Sequence, residues 1–151
     1  MNSKSSTKAL IEKFLSNKEI AIAGVSRNTQ KFGYKIFDHF RTKGYNTFLI
    51  HPEAKEIEGV VCYKSAKEIP NNVRALFITT NAKATDDVMN DALSRGFDMI
   101  WVQQKSETLE VLKLAKEKGI EIISGKCLFM YLDPKGGHAA HRFIMKLFGK
   151  M

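Results

Sequence analysis

Cysteine and proline are both scarce in this chain of 151 residues. Only Cys62 and Cys127 are present, so neither a disulfide framework nor a zinc site is expected. No apolar stretch is long enough to span a membrane. The amino-terminal Met1-Asn2-Ser3-Lys4-Ser5 lacks the apolar core of a secretory signal. These absences fit a cytoplasmic enzyme or binding protein. Like-charged runs are missing too. The 24 Lys and Arg are dispersed among 16 acidic residues, so the net charge of +8 reads as a solvated basic surface. With no basic stripe and no helix-turn-helix pattern, a nucleic-acid partner is not expected. A polyanionic small molecule would still be drawn to such a field.

What is present is a repeating strand–helix series. Three helical segments end alike, at Arg41-Thr42-Lys43-Gly44-Tyr45, Leu93-Ser94-Arg95-Gly96-Phe97 and Lys116-Glu117-Lys118-Gly119-Ile120. In each, a cation precedes a glycine and an apolar residue opens the next strand. Glycine supplies the left-handed C′ position, and the cation complements the helix dipole. Strands are expected near residues 19–25, 46–51, 74–79, 98–102 and 120–124, with helices near 33–43, 82–95 and 106–118. Ser106 is the expected N-cap of the last of these. Residues 56–63 could hold one short extra strand, and Ser65 to Ile69 a helical turn before Pro70. A helix over about residues 7–15 precedes this core, and another over about 138–148 follows it. The expected architecture is α/β: a single-domain, doubly wound, Rossmann-like fold on a five-stranded parallel sheet. It divides into an amino-terminal helix at 1–15, the Rossmann-like unit at 16–131 and a tail helix at 132–151.

Such sheets bind ligands at the carboxyl ends of their strands. The first strand, Ile20 to Val25, is apolar on both faces and runs into Ser26-Arg27-Asn28-Thr29-Gln30-Lys31-Phe32-Gly33. Gly24 permits a tight turn. Ser26 offers a hydroxyl, and Arg27 and Lys31 add positive charge. Gly33 opens a helix whose N-terminus favours anions. Its missing Cβ is expected to admit a phosphate, and a valine there to be tolerated by the fold. The loop lacks the Gly-x-Gly-x-x-Gly spacing. The second strand ends Ile50-His51-Pro52 rather than on the acid that holds a NAD ribose. An NAD(P)-dependent oxidoreductase or redox sensor is therefore the alternative reading.

Catalytic patterns are few. Ser26 lacks a nucleophile elbow. No paired carboxylates stand at strand ends. His138 and His141 share helical spacing, but no third metal ligand accompanies them. Cys127 beside Lys126 could be a reactive thiol, though a buried packing role is the default. Neither a catalytic residue nor a metal ligand is assigned.

Gly24-Val25-Ser26 through Lys31-Phe32-Gly33-Tyr34-Lys35, with His51-Pro52, Ile57-Glu58-Gly59, Cys62-Tyr63, Trp101-Val102-Gln103 and Gly125-Lys126-Cys127-Leu128, resembles the small stand-alone CoA-binding proteins. These are relatives of the CoA-binding domain of succinyl-CoA synthetase α chains. The resemblance runs from about residue 16 to 131. It implies a binding protein for coenzyme A or an acyl-CoA. By position, Ser26, Lys31 and Gly33 would surround the phosphates, and Gly24, Val25, Arg27 and Phe32 would also bind the cofactor. His51, Pro52 and Lys55 would flank the adenosine. Thr79 and Thr80 would border the pantetheine, and Gln103 would join the site. The family commonly has Asn where His51 stands, and prolines where Thr80-Asn81 stand. It also implies two further alternatives, a homodimer or a ligase partner chain carrying the catalytic domain.

Overall fold

The computed structural model describes residues 3–132, with the side chains of residues 3–6 and 132 left undescribed. The tail helix expected at 138–148, with His138 and His141, lies outside the described residues.

Helix α1 (Ser3–Ser16) leads into β1 (Glu19–Ala23), α2 (Phe32–Thr42) and β2 (Asn46–Ile50). Two short strands follow, β3 (Glu56–Ile57) and β4 (Val60–Tyr63), then a 3₁₀ turn at Ala66–Glu68. The chain continues through β5 (Ala75–Ile78), α3 (Ala82–Arg95), β6 (Met99–Gln103), α4 (Leu109–Glu117), β7 (Ile122–Lys126) and α5 (Phe129–Leu132). The sheet order is β3-β4-β2-β1-β5-β6-β7. Every pairing is parallel except that of β3 with β4.

The sheet thus has seven strands rather than five. The two additions come from residues 56–63. Glu58 and Gly59 have φ of 52° and 79°, which makes a two-residue turn between β3 and β4. Positive φ at both central positions matches the twist of a hairpin. The register then pairs Leu49 with Cys62 and Ile50 with Tyr63, which attaches the hairpin to β2.

Strand alternation builds two cores. Ile20, Ile22, Leu49, Phe77, Trp101 and Ile123 face α1, α2 and α5. Ala21, Ala23, Ile50, Leu76, Ile78, Ile100 and Val102 face α3, α4 and the 3₁₀ turn. On the first face α2 buries Gly33, Ile36, Phe37 and Phe40, the expected stripe. Phe14 of α1 meets Trp101 edge-on at 5.4 Å, and the Tyr45 hydroxyl donates to the Leu15 carbonyl at 2.6 Å. On the second face β1 contributes only alanines, so the layer there is thin.

The three helix-ending glycines are left-handed, with φ of 90° at Gly44, 98° at Gly96 and 68° at Gly119. The N-cap of α4 is Thr108 rather than Ser106: its hydroxyl accepts from the Val111 N–H at 3.0 Å. Ser106 instead closes the turn after β6, donating its N–H to the Gln103 carbonyl at 2.9 Å. The chain first moves from β1 toward β2 and β4, then crosses back to β5 on the other side. The carboxyl end of β1 is therefore the topological switch point, where such sheets bind ligands.

Candidate functional site

A cleft of about 350 Å³ opens at that switch point, at the small end of the range for ligand pockets. Its floor is Ala23 and Gly24. Val25, Ile50, His51 and Pro52 form one side. Thr79, Thr80, Asn81, Ala84, Asp87 and Val88 form the other, and Lys64, Ser65, Ala66 and Asp91 close the end. It lies on the thin face, where Ala23, Ala66 and Ala84 leave room between sheet and α3.

The structure brings together Gly24, Val25, His51, Pro52, Thr79 and Thr80, which the sequence pointed to separately. Residues expected at opposite ends of a cofactor thus share one cleft. Ser26, Arg27, Lys31, Phe32, Gly33, Lys55 and Gln103 do not line it.

Ser26 to Lys31 form a turn network beside the cleft. The Ser26 hydroxyl accepts from the Asn28 N–H at 3.0 Å, and the Asn28 side chain accepts from the Gln30 N–H at 2.9 Å. The Ser26 proton remains available for an acceptor such as a phosphate oxygen. Lys31 is the N-cap of α2, and its ammonium cannot accept a hydrogen bond, so no side chain caps the helix. No acidic residue stands in the first turn either. The positive end of α2 therefore carries a lysine and no internal counter-charge. Arg27 reaches Glu53 at 3.6 Å across the solvent, which ties this loop to the turn after β2. Lys55 is exposed in that turn, and its carbonyl accepts from the Cys62 N–H at 2.9 Å.

Gly33 corrects the sequence reading. A Cβ there would lie 2.0 Å from the Gly24 carbonyl oxygen and 3.0 Å from its carbon. The missing side chain admits the β1 turn, not a ligand. Gly24 is itself pressed onto β5. With φ +100°, its Cβ would fall 2.5 Å from the Thr79 carbonyl group and 2.7 Å from the Thr80 nitrogen. Three backbones are stacked here without side chains between them, which sets α2 tightly against the switch point.

His51 takes an acceptor role that an asparagine side chain could also fill. Its Nδ1 accepts from the N–H groups of Glu53 at 3.0 Å and Ala54 at 2.9 Å. This is the double acceptor role of an Asx turn. The ring is held neutral, with its proton on Nε2. Burial lowers the His51 pKa, Arg27 adds to the lowering, and Glu53 partly opposes it. The folded value thus lies below the ordinary value of about 6.5. His51's contribution to stability is complete above that value and declines as pH falls through it, because the unfolded chain takes the proton first. His51→Asn keeps the acceptor and removes the titration. The stability advantage of wild type over this variant should shrink between pH 7.5 and 5 in urea titrations. An advantage that stays constant or grows would contradict this.

Gln103 belongs to the core. It is 1% exposed, and its Oε1 accepts from the Leu128 N–H at 3.2 Å, holding the chain after β7. Burial pushes the neighbouring Cys127 thiol up, with the Gln103 amide and the Phe129 backbone pulling the other way. The thiol packs within the first core. Among the described residues no cluster of His, Cys, Asp or Glu could hold a metal, and no helix is long and apolar enough to cross a membrane.

The α3 side of the cleft was missed in the sequence. Asn81 was legible as a helix cap: its side chain accepts from the Ala84 N–H at 3.0 Å. Ser65-x-x-Glu68 was legible as a capping box and is one. That both caps border a cleft was not.

A mostly parallel sheet with helices on both faces and a cleft at the switch point defines a Rossmann-like α/β domain. The family model described as "CoA binding domain" matches residues 18–133, and the chain belongs to that family. The α subunit of the ADP-forming acetate–CoA ligase II of Pyrococcus furiosus is 25% identical over 130 residues, covering 79% of this chain and 28% of its own length. The chain spans between 17% and 28% of the length of the curated relatives it matches. A solved structure of a conserved hypothetical protein from Pyrococcus furiosus is 31% identical with a TM-score of 0.70, covering 73% of this chain and 95% of that one. A hypothetical protein from Pyrococcus horikoshii has the same fold, with a TM-score of 0.75 at 23% identity, covering 85% and 90%.

Proposed function

We propose that the chain binds coenzyme A or an acyl-CoA at the switch-point cleft and the adjoining terminus of α2. The family match over residues 18–133 carries this reading. The phosphates would lie against the Ser26–Lys31 loop and the positive end of α2, with Lys31 and the Ser26 hydroxyl as partners. The cleft would take a less charged part of the molecule, since Asp87 and Asp91 on its wall would repel phosphate. Within this reading no residue acts as nucleophile or general base, and the chain serves as a holder of its ligand.

A second reading is favoured by the relatives. Curated matches include ADP-forming acetate–CoA ligases, so the chain could supply the CoA-holding part of an acyl-CoA ligase, with the catalytic portion on another chain. Co-purification with an ATP-grasp protein, and acyl-CoA synthesis only when both are mixed, would support it.

Thermal shift with CoA and with NAD at equal concentration tests the first reading. A ligand that binds only the native state adds about 2.7 kcal/mol at a hundred times its dissociation constant. CoA is expected to raise Tm by more than NAD. A shift with NAD and none with CoA would return the chain to the dinucleotide-binding alternative.

A further inference from the structure

We propose that Thr80 is a specificity residue of the cleft: its hydroxyl is locked as an acceptor, and the ligand must offer it a hydrogen-bond donor. The inference rests on the CoA reading and names the chemistry by which the cleft selects its ligand.

Protons on three groups decide this. The Thr85 hydroxyl lies 3.0 Å from the Asn81 carbonyl oxygen. A carbonyl carries no proton, so Thr85 must donate. The Thr80 and Thr85 hydroxyl oxygens lie 2.7 Å apart. Each hydroxyl has one proton. Thr85 has already spent its own, so Thr80 donates to Thr85. Thr85 is fully buried within α3, where no solvent competes for the arrangement. Thr80, which lines the cleft, is left with lone pairs alone to show a ligand.

Asp87 on the same wall adds a carboxylate, which only accepts. Asn81 differs: its side-chain oxygen caps α3, which leaves its amide N–H₂ as a donor. Asp91 is engaged by the Ser65 hydroxyl at 2.9 Å and by Lys67 at 3.7 Å. The opposite wall has the reverse sense: His51 commits Nδ1 to two backbone N–H groups, which leaves Nε2–H as its ligand-facing edge. β2 and β5 are separated by β1 alone, so the two walls stand roughly 10 Å apart, two strand spacings. A cleft in which Thr80 and Asp87 accept on one wall and His51 donates on the other prefers ligands that present both senses. Coenzyme A offers donors as N–H, at the adenine amino group and the two pantetheine amides, and as O–H, at the ribose and pantoate hydroxyls.

Binding of CoA and analogues that each lack one donor, measured by calorimetry, tests the inference. Hypoxanthine replaces the adenine amino group with a carbonyl oxygen, an ester oxygen replaces each pantetheine amide N–H in turn, and methyl ethers replace the ribose and pantoate O–H. Wild type is expected to bind one of them about tenfold more weakly than CoA, because an acceptor then faces Thr80. Which analogue is penalised identifies the source of the donor. Thr80→Val should weaken CoA binding about three- to tenfold and abolish the discrimination, while Thr80→Ser retains both. Thr85→Val is the sharper variant. It leaves Thr80 in place but frees its proton, so the penalised analogue should regain affinity. Equal binding of CoA and every analogue by wild type would overturn the inference alone. So would discrimination that survives in Thr80→Val and Thr85→Val. Absence of CoA binding by wild type would overturn the CoA reading and this inference together.

Discussion

Gly33→Ala is expected to destabilise the fold by about 2–3 kcal/mol, a fall in Tm of roughly 5–10 °C. Helix propensity alone gives the opposite sign, since alanine is favoured over glycine by about 1 kcal/mol inside a helix. The deciding magnitude is a distance. The added Cβ would sit 2.0 Å from the Gly24 carbonyl oxygen. Gly24 cannot retreat, because it is pressed against the backbone of Thr79 and Thr80 on its other side. Relief requires α2 to move off the sheet, and α2 is anchored by Ile36, Phe37 and Phe40, all fully buried. Gly33→Val carries the same Cβ and more bulk, so its loss should be larger. Urea unfolding of the ligand-free protein measures this. An alanine variant as stable as wild type would mean that α2 is not locked to the β1 turn as described.

Lys31→Ala is expected to weaken CoA binding by about 1.5–3 kcal/mol, tenfold or more, with little effect on stability. Lys31 is exposed at the N-cap of α2, where its backbone is extended and its side chain makes no cap. Removing it costs the fold no hydrogen bond of the helix terminus. It costs a bound phosphate one charge-assisted partner, so the remaining affinity should also depend less on salt. Calorimetry at two ionic strengths reads both effects. Unchanged affinity and unchanged salt dependence would place Lys31 outside the site.

The sequence carries those parts of the fold that repeat along the chain. Alternation through Ile20, Ala21, Ile22 and Ala23 marks a strand buried on both faces. Gly44, Gly96 and Gly119 mark helix ends. The i, i+3, i+4, i+7 spacing of Gly33, Ile36, Phe37 and Phe40 marks the buried face of α2. The hairpin of β3 and β4 was only half legible, because two- and four-residue strands are too short to show a period. Their pairing depends on the Glu58-Gly59 turn and on contact with β2.

Legibility of the site failed where a role depends on distant backbone. Gly33 follows Gly24 by nine positions, and nothing in that spacing says that the two backbones touch. His51 reads as a departure from an Asn pattern until its Nδ1 is seen to accept the two N–H groups an asparagine would take. Gln103 matches a family motif by position, yet its Oε1 accepts from the Leu128 N–H inside the core. The hydroxyl chain from Thr80 through Thr85 to the Asn81 carbonyl exists only once the first turn of α3 is formed.

The central claim is that CoA is held at the β1 switch point, between the Ser26–Lys31 loop and the end of β5. Amide chemical shifts of isotopically labelled protein, followed while CoA is added, test it most directly. Saturable shifts are expected in Gly24 to Tyr34, in His51, Glu53 and Ala54 and in Thr79 to Asn81, with Ile122 to Gly125 of β7 unmoved. Shifts confined to β6 and β7, or none at millimolar CoA, would contradict it.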